Sequence, residues 1–356
     1  MARKIVHVVG TGTIGEPLTG LLSDYREQLG IDEVTFNKNT PLTSERSKVR
    51  DLIRRGARLS VVAEAVDGFK SISLDPEFTS EEAIERASVV IDCTPKGSGH
   101  KNKVEYYRRY LESGLGFVAQ GSESGFGKMY ACGINDRALV QGEDKFIQVV
   151  SCNTHSMAVL INTLALQDVA VDNLMTGRFV IVRRASDISQ DSSFIPSPRV
   201  SKHKDEIYGS HHARDCVSLF DTIGHKLDLY SSVLQVNSQY MHVVYFNLVV
   251  KEPISLQKVI DRLDANDRIA LTEKVSANQV FSFGRDHGHF GRILNQAVVP
   301  VPTLQVNNQR EIVGFAFTPQ DGNSLLSSIA ITEWLLYPHS YEEKVQCLKE
   351  LFFSEV

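Results

Sequence analysis

The sequence predicts an α/β protein in two parts: a doubly wound parallel sheet, then an α+β domain on a mixed or antiparallel sheet. Three observations carry that expectation. An apolar run, Ile5 to Val9, enters Gly10-Thr11-Gly12-Thr13-Ile14-Gly15 and then a helical stretch, Glu16 to Gln28. Strand and helix signals alternate from there to about position 150, the mark of repeated βαβ units. Beyond it β-branched stretches dominate, and the tail from Asn323 to Phe353 reads as helix again.

Taken in order, the next strand is Glu33 to Phe36, followed by helices at Ser44 to Arg55 and Ser80 to Ala87. Ser88 to Cys93 reads as a strand, Asn102 to Ser113 as a helix, and Gly116 to Gln120 and Phe146 to Val150 as strands. Ser151-Cys152-Asn153-Thr154 opens a helical pattern that runs through Leu166. Strands then fall at Phe179 to Val182, Asp228 to Val236, Tyr240 to Val250 and Ile312 to Thr318, with few helices besides Leu256 to Leu263. The Ser-, Asp- and Pro-rich stretch from Ser186 to Ser210 reads as an active-site loop. A length of 356 residues suggests two domains at roughly 100–200 residues each.

Composition excludes several classes. A net charge of −5 is not the basic footprint of a nucleic-acid binder. The five cysteines, Cys93, Cys132, Cys152, Cys216 and Cys347, are widely spaced and include no C-x-x-C pair, which argues against a disulfide framework or a zinc knot. His287 and His289 lack companion ligands at metal-binding spacing, so no metal is expected. The N-terminal apolar run is too short for a secretory signal, and no segment nears the roughly 20 apolar residues of a membrane span. A cytoplasmic protein is expected.

Gly10-x-Gly12-x-x-Gly15 has the spacing of a Rossmann-type dinucleotide fingerprint, between a strand and a helix whose positive end can hold a pyrophosphate. The strand that usually ends in an acid gripping the ribose here ends Phe36-Asn37-Lys38. A lysine without an acid favours NADP, or use of both NADP and NAD. Cys152 sits where a strand meets a helix. Free N–H groups there stabilise a thiolate, lower its pKa and can hold an oxyanion. A nucleophilic cysteine needs a base, and His155, His211, His212 and His242 are the histidines to compare.

Together these residues resemble archaeal-type (class II) glyceraldehyde-3-phosphate dehydrogenases over the whole chain. The match rests on Gly12-Thr13-Ile14-Gly15, Gln120-Gly121, Ser151-Cys152-Asn153-Thr154, Arg183-Arg184-Ala185-Ser186-Asp187 and Ser210-His211-His212, extended by Met241-His242 and Gly284-Arg285-Asp286. The resemblance implies that Cys152 is the nucleophile and His242 the base. It implies that Ser151, Asn153, His211 and His212 bind substrate, and that Thr13, Ile14, Gly121, Arg184 and Gln320 contact the cofactor. It further implies a phosphorylated aldehyde and inorganic phosphate as small-molecule partners, and a homotetramer. The dinucleotide-binding domain would span 1–151, completed by C-terminal helices about 320–356, with 152–319 as the catalytic domain.

Five positions depart from the family pattern: His155 where a threonine is usual, Ala213-Arg214 for Gly-Pro, Ser122 for glycine and Val244 for a second histidine. His155 and Arg214 are expected to alter charge near the phosphate pockets. They motivate an alternative, a related phosphorylated-aldehyde or semialdehyde dehydrogenase. A third expectation, from another class, is a cofactor-binding sensor without catalysis.

Overall fold

The apolar run Ile5–Val9 forms β1, buried along its whole length. A strand buried on both faces belongs inside a parallel sheet with helices on either side. The computed structural model describes residues 3–121, 123–166, 173–186, 195–203, 205–238, 240–319 and 321–356. In it β1 is joined by β2 (Glu33–Asn37), β3 (Arg58–Val61), β4 (Phe78–Thr79), β5 (Val89–Asp92), β6 (Gly116–Ala119), β7 (Lys128–Tyr130) and β8 (Phe146–Val149). Their order is β4-β3-β2-β1-β5-β6-β8-β7, and every pairing is parallel. The chain runs outward from β1 to β4, then returns to β5 on the other flank of β1. The order reverses between β1 and β5, and ligands of such sheets bind at the carboxyl ends of the strands there.

This sheet belongs to a unit made of Met1–Cys132, Leu139–Val149 and Leu325–Leu348. One helix departs from expectation: instead of Asn102 to Ser113, it spans Ser98–Glu105, followed by a 3-10 turn at Tyr107–Tyr110. The cause is tertiary. Glu123 accepts from the N–H groups of Gly97 and His100, capping the helix early. Tyr107 turns inward, its hydroxyl donating to Asp92 and its ring stacked 5.0 Å from Phe117.

The second unit comprises Gly133–Ala138, Val150–Ser324 and Lys349–Val356. Its strands are β9 (Leu174–Arg183), β10 (Arg199–Val200), β11 (Leu229–Gln235), β12 (His242–Val250), β13 (Ile269–Thr272), β14 (Ala297–Pro300), β15 (Gln305–Asn307) and β16 (Glu311–Thr318). They form a mixed sheet of order β10-β11-β9-β12-β16-β14-β13, with β15 on β16. Along β12 buried and half-buried residues alternate, so His242 shares the buried face with Val244, Phe246 and Leu248. The unit holds more helix than the sequence reading expected. His211–Asp221 buries Ala213, Cys216, Leu219 and Phe220 at helical spacing, and Ala277–His287 buries Val280 and Gly284. The long loop read at Ser186 to Ser210 contains β10; residues 187–194 and 204 lie outside the described residues.

Helix Gly322–Leu336 opens the C-terminal segment, and the last residues pair with β13 through the Val356 N–H to the Leu271 carbonyl. Among the described residues no helix is long and apolar enough to cross a membrane.

Candidate active site

In the first unit the glycine turn joins β1 to the helix Gly15–Asp24. Gly10 takes φ 94, a left-handed conformation that glycine adopts without strain. A Cβ on Gly15 would lie 1.9 Å from the Gly10 carbonyl oxygen, so any side chain there would spread the turn. Gly12, by contrast, faces open space, with nothing within 4 Å of the Cβ position. The Thr11 hydroxyl is buried and has no hydrogen-bond partner among the described residues. An open cradle beside an unused hydroxyl at a helix N-terminus fits a dinucleotide pyrophosphate. Thr13 and Ile14 lie in this turn, and Gly121 follows β6 on the same edge of the sheet. Lys38 follows β2 and is paired with Glu45.

In the second unit Cys152 is the first residue of the helix Cys152–Ile161, as the strand-to-helix reading expected. Ser151 caps that helix, its Oγ accepting from the Thr154 N–H at 3.4 Å and lying 2.9 Å from the Thr154 hydroxyl. Asn153 is buried, and its Oδ1 lies 3.1 Å from His242 Nδ1 and 3.4 Å from Thr318 Oγ1. Register explains the meeting: His242 opens β12 directly opposite Thr318 of β16. With Asn153 Oδ1 as acceptor, the histidine carries its proton on Nδ1, which leaves Nε2 as the basic atom. Burial, then the charges of Arg184 and Arg183, push His242 down to about 3, so its ring is neutral.

The Cys152 thiol overturns one expectation. Burial pushes it up to about 12, and the Asp321 carboxylate adds to that. Arg184, the Asn153 N–H and Arg183 pull the other way without prevailing. Although Cys152 is only half-buried as a residue, desolvation of its thiol opposes the helix N-terminus and disfavours a resting thiolate.

The departures at His155 and Arg214 also read differently in three dimensions. His155 is fully buried with Nδ1 3.1 Å from the Ser151 carbonyl oxygen, and burial pushes it down to about 4. It brings no charge. Arg214 turns onto its neighbour Asp215 at 3.2 Å.

His211 and His212 begin the helix His211–Asp221, with ring centroids 3.9 Å apart. Ser210 caps it, accepting from the His212 N–H at 3.3 Å and lying 2.6 Å from the Ser231 hydroxyl. Both ring nitrogens of His212 are buried without a partner among the described residues. Burial lowers its pKa, and the charges of His211, Arg183 and His242 add to the effect.

Arg184 is buried, and together with Met241, Phe281, Phe290, Ile293 and Asp321 it lines a cavity of about 210 Å³. Gln320 lies outside the described residues. Two residues of this region escaped the sequence reading. Asp321 sits at φ 68, in the left-handed region where Asp and Asn are enriched among non-glycine residues. The Asp321-Gly322 pair ahead of a helix was its only signal. Asn323 donates from Nδ2 to the Cys152 carbonyl at 2.9 Å and to that of Gln296 at 3.3 Å, fixing the backbone at Cys152. No sequence pattern marked it.

No protein-family model matches the chain. The chain is similar to glyceraldehyde-3-phosphate dehydrogenases. It is 26% identical over 324 residues to that of Metallosphaera sedula, covering 87% of this chain and 86% of the relative. It is 25% identical over 322 residues to that of Hyperthermus butylicus, covering 86% and 84%. The enzyme of Methanobrevibacter smithii is 27% identical over 280 residues, covering 76% and 74%.

Proposed function

We propose that this chain is a phosphorylating aldehyde dehydrogenase of the archaeal-type (class II) glyceraldehyde-3-phosphate dehydrogenase kind. It oxidises D-glyceraldehyde 3-phosphate to 1,3-bisphosphoglycerate, reversibly, with NADP or NAD. The observation that carries the reading is the trio within the second unit: Cys152 at a helix start, a neutral buried His242, and Asn153 orienting it. Similarity to dehydrogenases of that name supports the substrate. The first unit serves as the dinucleotide-binding domain and the second as the catalytic domain, in a homotetramer.

His242 Nε2 takes the Cys152 proton as the sulfur adds to the aldehyde carbon, forming a thiohemiacetal. The N–H of Asn153 and its neighbours at the helix start hold the oxygen as it gains charge. Burial is the main cause that holds His242 down; an anionic substrate beside Arg183 and Arg184 offsets the smaller, charge part and so raises its basicity. The nicotinamide, when bound, accepts the hydride. His242 first returns the Cys152 proton to the thiohemiacetal oxygen, then takes it back from that hydroxyl as the hydride leaves the carbon, and a thioester remains on Cys152. Phosphate oxygen attacks the acyl carbon, the thiolate leaves, and the acyl phosphate departs. The histidine pair and Arg183 suit the anionic end of the substrate.

The test is reduced-cofactor formation from glyceraldehyde 3-phosphate with and without inorganic phosphate. Phosphate-dependent turnover that vanishes in Cys152→Ala, with cofactor affinity retained, is the expected result. Turnover unchanged in that variant removes the mechanism. A second reading, a cofactor-binding sensor without catalysis, draws on the thiol's rise to about 12. Cofactor binding without turnover on any phosphorylated aldehyde would favour it.

A further inference from the structure

The last residue of β2, Asn37, is turned inward: it is buried, and its Nδ2 donates to the Ser80 hydroxyl at 2.5 Å. The strand end itself therefore offers neither an acid nor a free amide. A carboxylate nonetheless arrives there from elsewhere. Glu45 closes the 3-10 turn Thr43–Glu45, and its carboxylate pairs with the ammonium of Lys38, the residue that follows β2. Lys48, in the helix Arg46–Arg54, lies 3.4 Å from the same carboxylate and 3.2 Å from that of Glu16. Glu16 stands in the first turn of the helix that follows the glycine turn.

These four side chains link the end of β2 to the glycine turn. They carry two positive and two negative charges, so the network is neutral. Against the burial that pushes it up, Lys38 and then Lys48 hold the Glu45 carboxyl below its ordinary value, and it is ionised at neutral pH. In a doubly wound sheet the adenosine ribose lies beside the end of the second strand, and an acid there accepts the 2′-hydroxyl. Glu45 supplies from a following turn the acid that β2 lacks.

We propose that Glu45 selects the dinucleotide, accepting a free ribose 2′-hydroxyl and repelling a 2′-phosphate, so that the chain binds NAD in preference to NADP. The inference rests on reading the glycine turn as a dinucleotide site. A phosphate brings a charge of about −1.5 to −2 at neutral pH. Lys38 and Lys48 cannot receive it freely, because each is already compensated by a carboxylate. Lys38 alone would attract the phosphate; the pair Lys38–Glu45 does not.

Titration calorimetry on the whole chain with NAD⁺, NADP⁺ and 2′,5′-ADP tests this. The unaltered protein is expected to bind NAD⁺ about tenfold more tightly than NADP⁺. Glu45→Gln is expected to tighten NADP⁺ and 2′,5′-ADP about tenfold while leaving NAD⁺ equal or weaker. Adding Lys38→Met to that variant should remove the gain. Glu45 is partly exposed on a turn, so folding should survive; Glu45→Ser provides a second variant read the same way. Unchanged NADP⁺ affinity in both variants, or a preference for NADP⁺ in the unaltered protein, overturns the proposal while leaving the dinucleotide reading intact. A folded protein that binds none of the three probes overturns the dinucleotide reading, and this proposal with it.

Discussion

At the end of β2, Lys38, Glu45, Lys48 and Glu16 sit half-buried, each charge matched by a neighbour. Around Cys152 the arrangement is the reverse. The thiol is held protonated and His242, His155 and His212 are held neutral, in each case chiefly by burial. Where water still reaches, charge pairs set which ligand fits. Where water is excluded, desolvation sets which proton can move. Edits to the first region should therefore change affinity, and edits to the second should change rate.

The largest effect that would test this division comes from His242→Asn. Losing a general base costs on the order of 10²–10⁴-fold in rate. We expect kcat to fall by that amount with the dissociation constant of the cofactor unchanged, measured by steady-state turnover beside equilibrium titration. A fall below about tenfold would move the base to His211 or His212, since such a step lies well under the usual contribution. Equal losses in kcat and cofactor affinity would break the division itself.

The two regions also differed in how far the sequence revealed them. The fold was legible because its signals are local: Ile5 to Val9 feeding Gly10-x-Gly12-x-x-Gly15 is a strand, a turn and a helix start within a few residues. Cys152 was legible for the same reason, lying between Val149 and a helical pattern. Its protonation state was not, because the burial and the Asp321 carboxylate that raise it come from outside the motif. His155 was expected to alter charge near the phosphate pockets, but a histidine donating to the Ser151 carbonyl inside a closed core stays neutral. Glu45 was hidden more completely. It lies seven residues after Lys38, and only the turn at Thr43–Glu45 brings its carboxylate back. Helix His211–Asp221 carried a weak signal because two of its buried positions are the polar His212 and Asp215, which interrupt the apolar spacing of Ala213, Cys216, Leu219 and Phe220.

A medium effect follows from the neutral histidines. His7 and His242 are pushed down to about 3 and His155 to about 4, each mainly by burial. Each folded value lies below the 6.5 of the unfolded chain, so only the unfolded state takes up protons as the pH falls below 6.5. Their contribution is intact above pH 6.5 and is lost progressively as the pH drops towards 4 and then 3. The loss is about 1.4 kcal/mol per pH unit for each such histidine. His7 lies in the first unit, whereas His155, His242 and the similarly lowered His212 lie in the second. The second unit should therefore be the more acid-labile. Trp334, the only tryptophan, reports on the first unit, and far-UV circular dichroism reports on both. Between pH 7 and pH 5 the urea midpoint should fall, and the dichroism transition should move ahead of the Trp334 fluorescence. Coincident, unmoved midpoints would show that the buried histidines do not govern acid stability.

The smallest effect isolates one carboxylate. Asp321 raises the Cys152 thiol, while Arg184, the Asn153 N–H and Arg183 lower it. Asp321→Asn removes the charge and keeps the side-chain shape. Asn, like Asp, tolerates the left-handed backbone found at φ 68, so the helix start should stay in place. Burial is the larger cause of the rise and remains in the variant. The thiol should therefore drop only part of the way, with alkylation of Cys152 by iodoacetamide at pH 8 rising about tenfold for each pKa unit recovered. Peptide mapping separates Cys152 from Cys93 and Cys216, whose thiols burial also pushes up and which should not respond. A rate at Cys152 that does not change would mean that Asp321 is compensated locally and that desolvation alone holds the proton. That outcome would make the contrast with the Glu45 network complete: charges would decide in one unit, and burial without charges in the other.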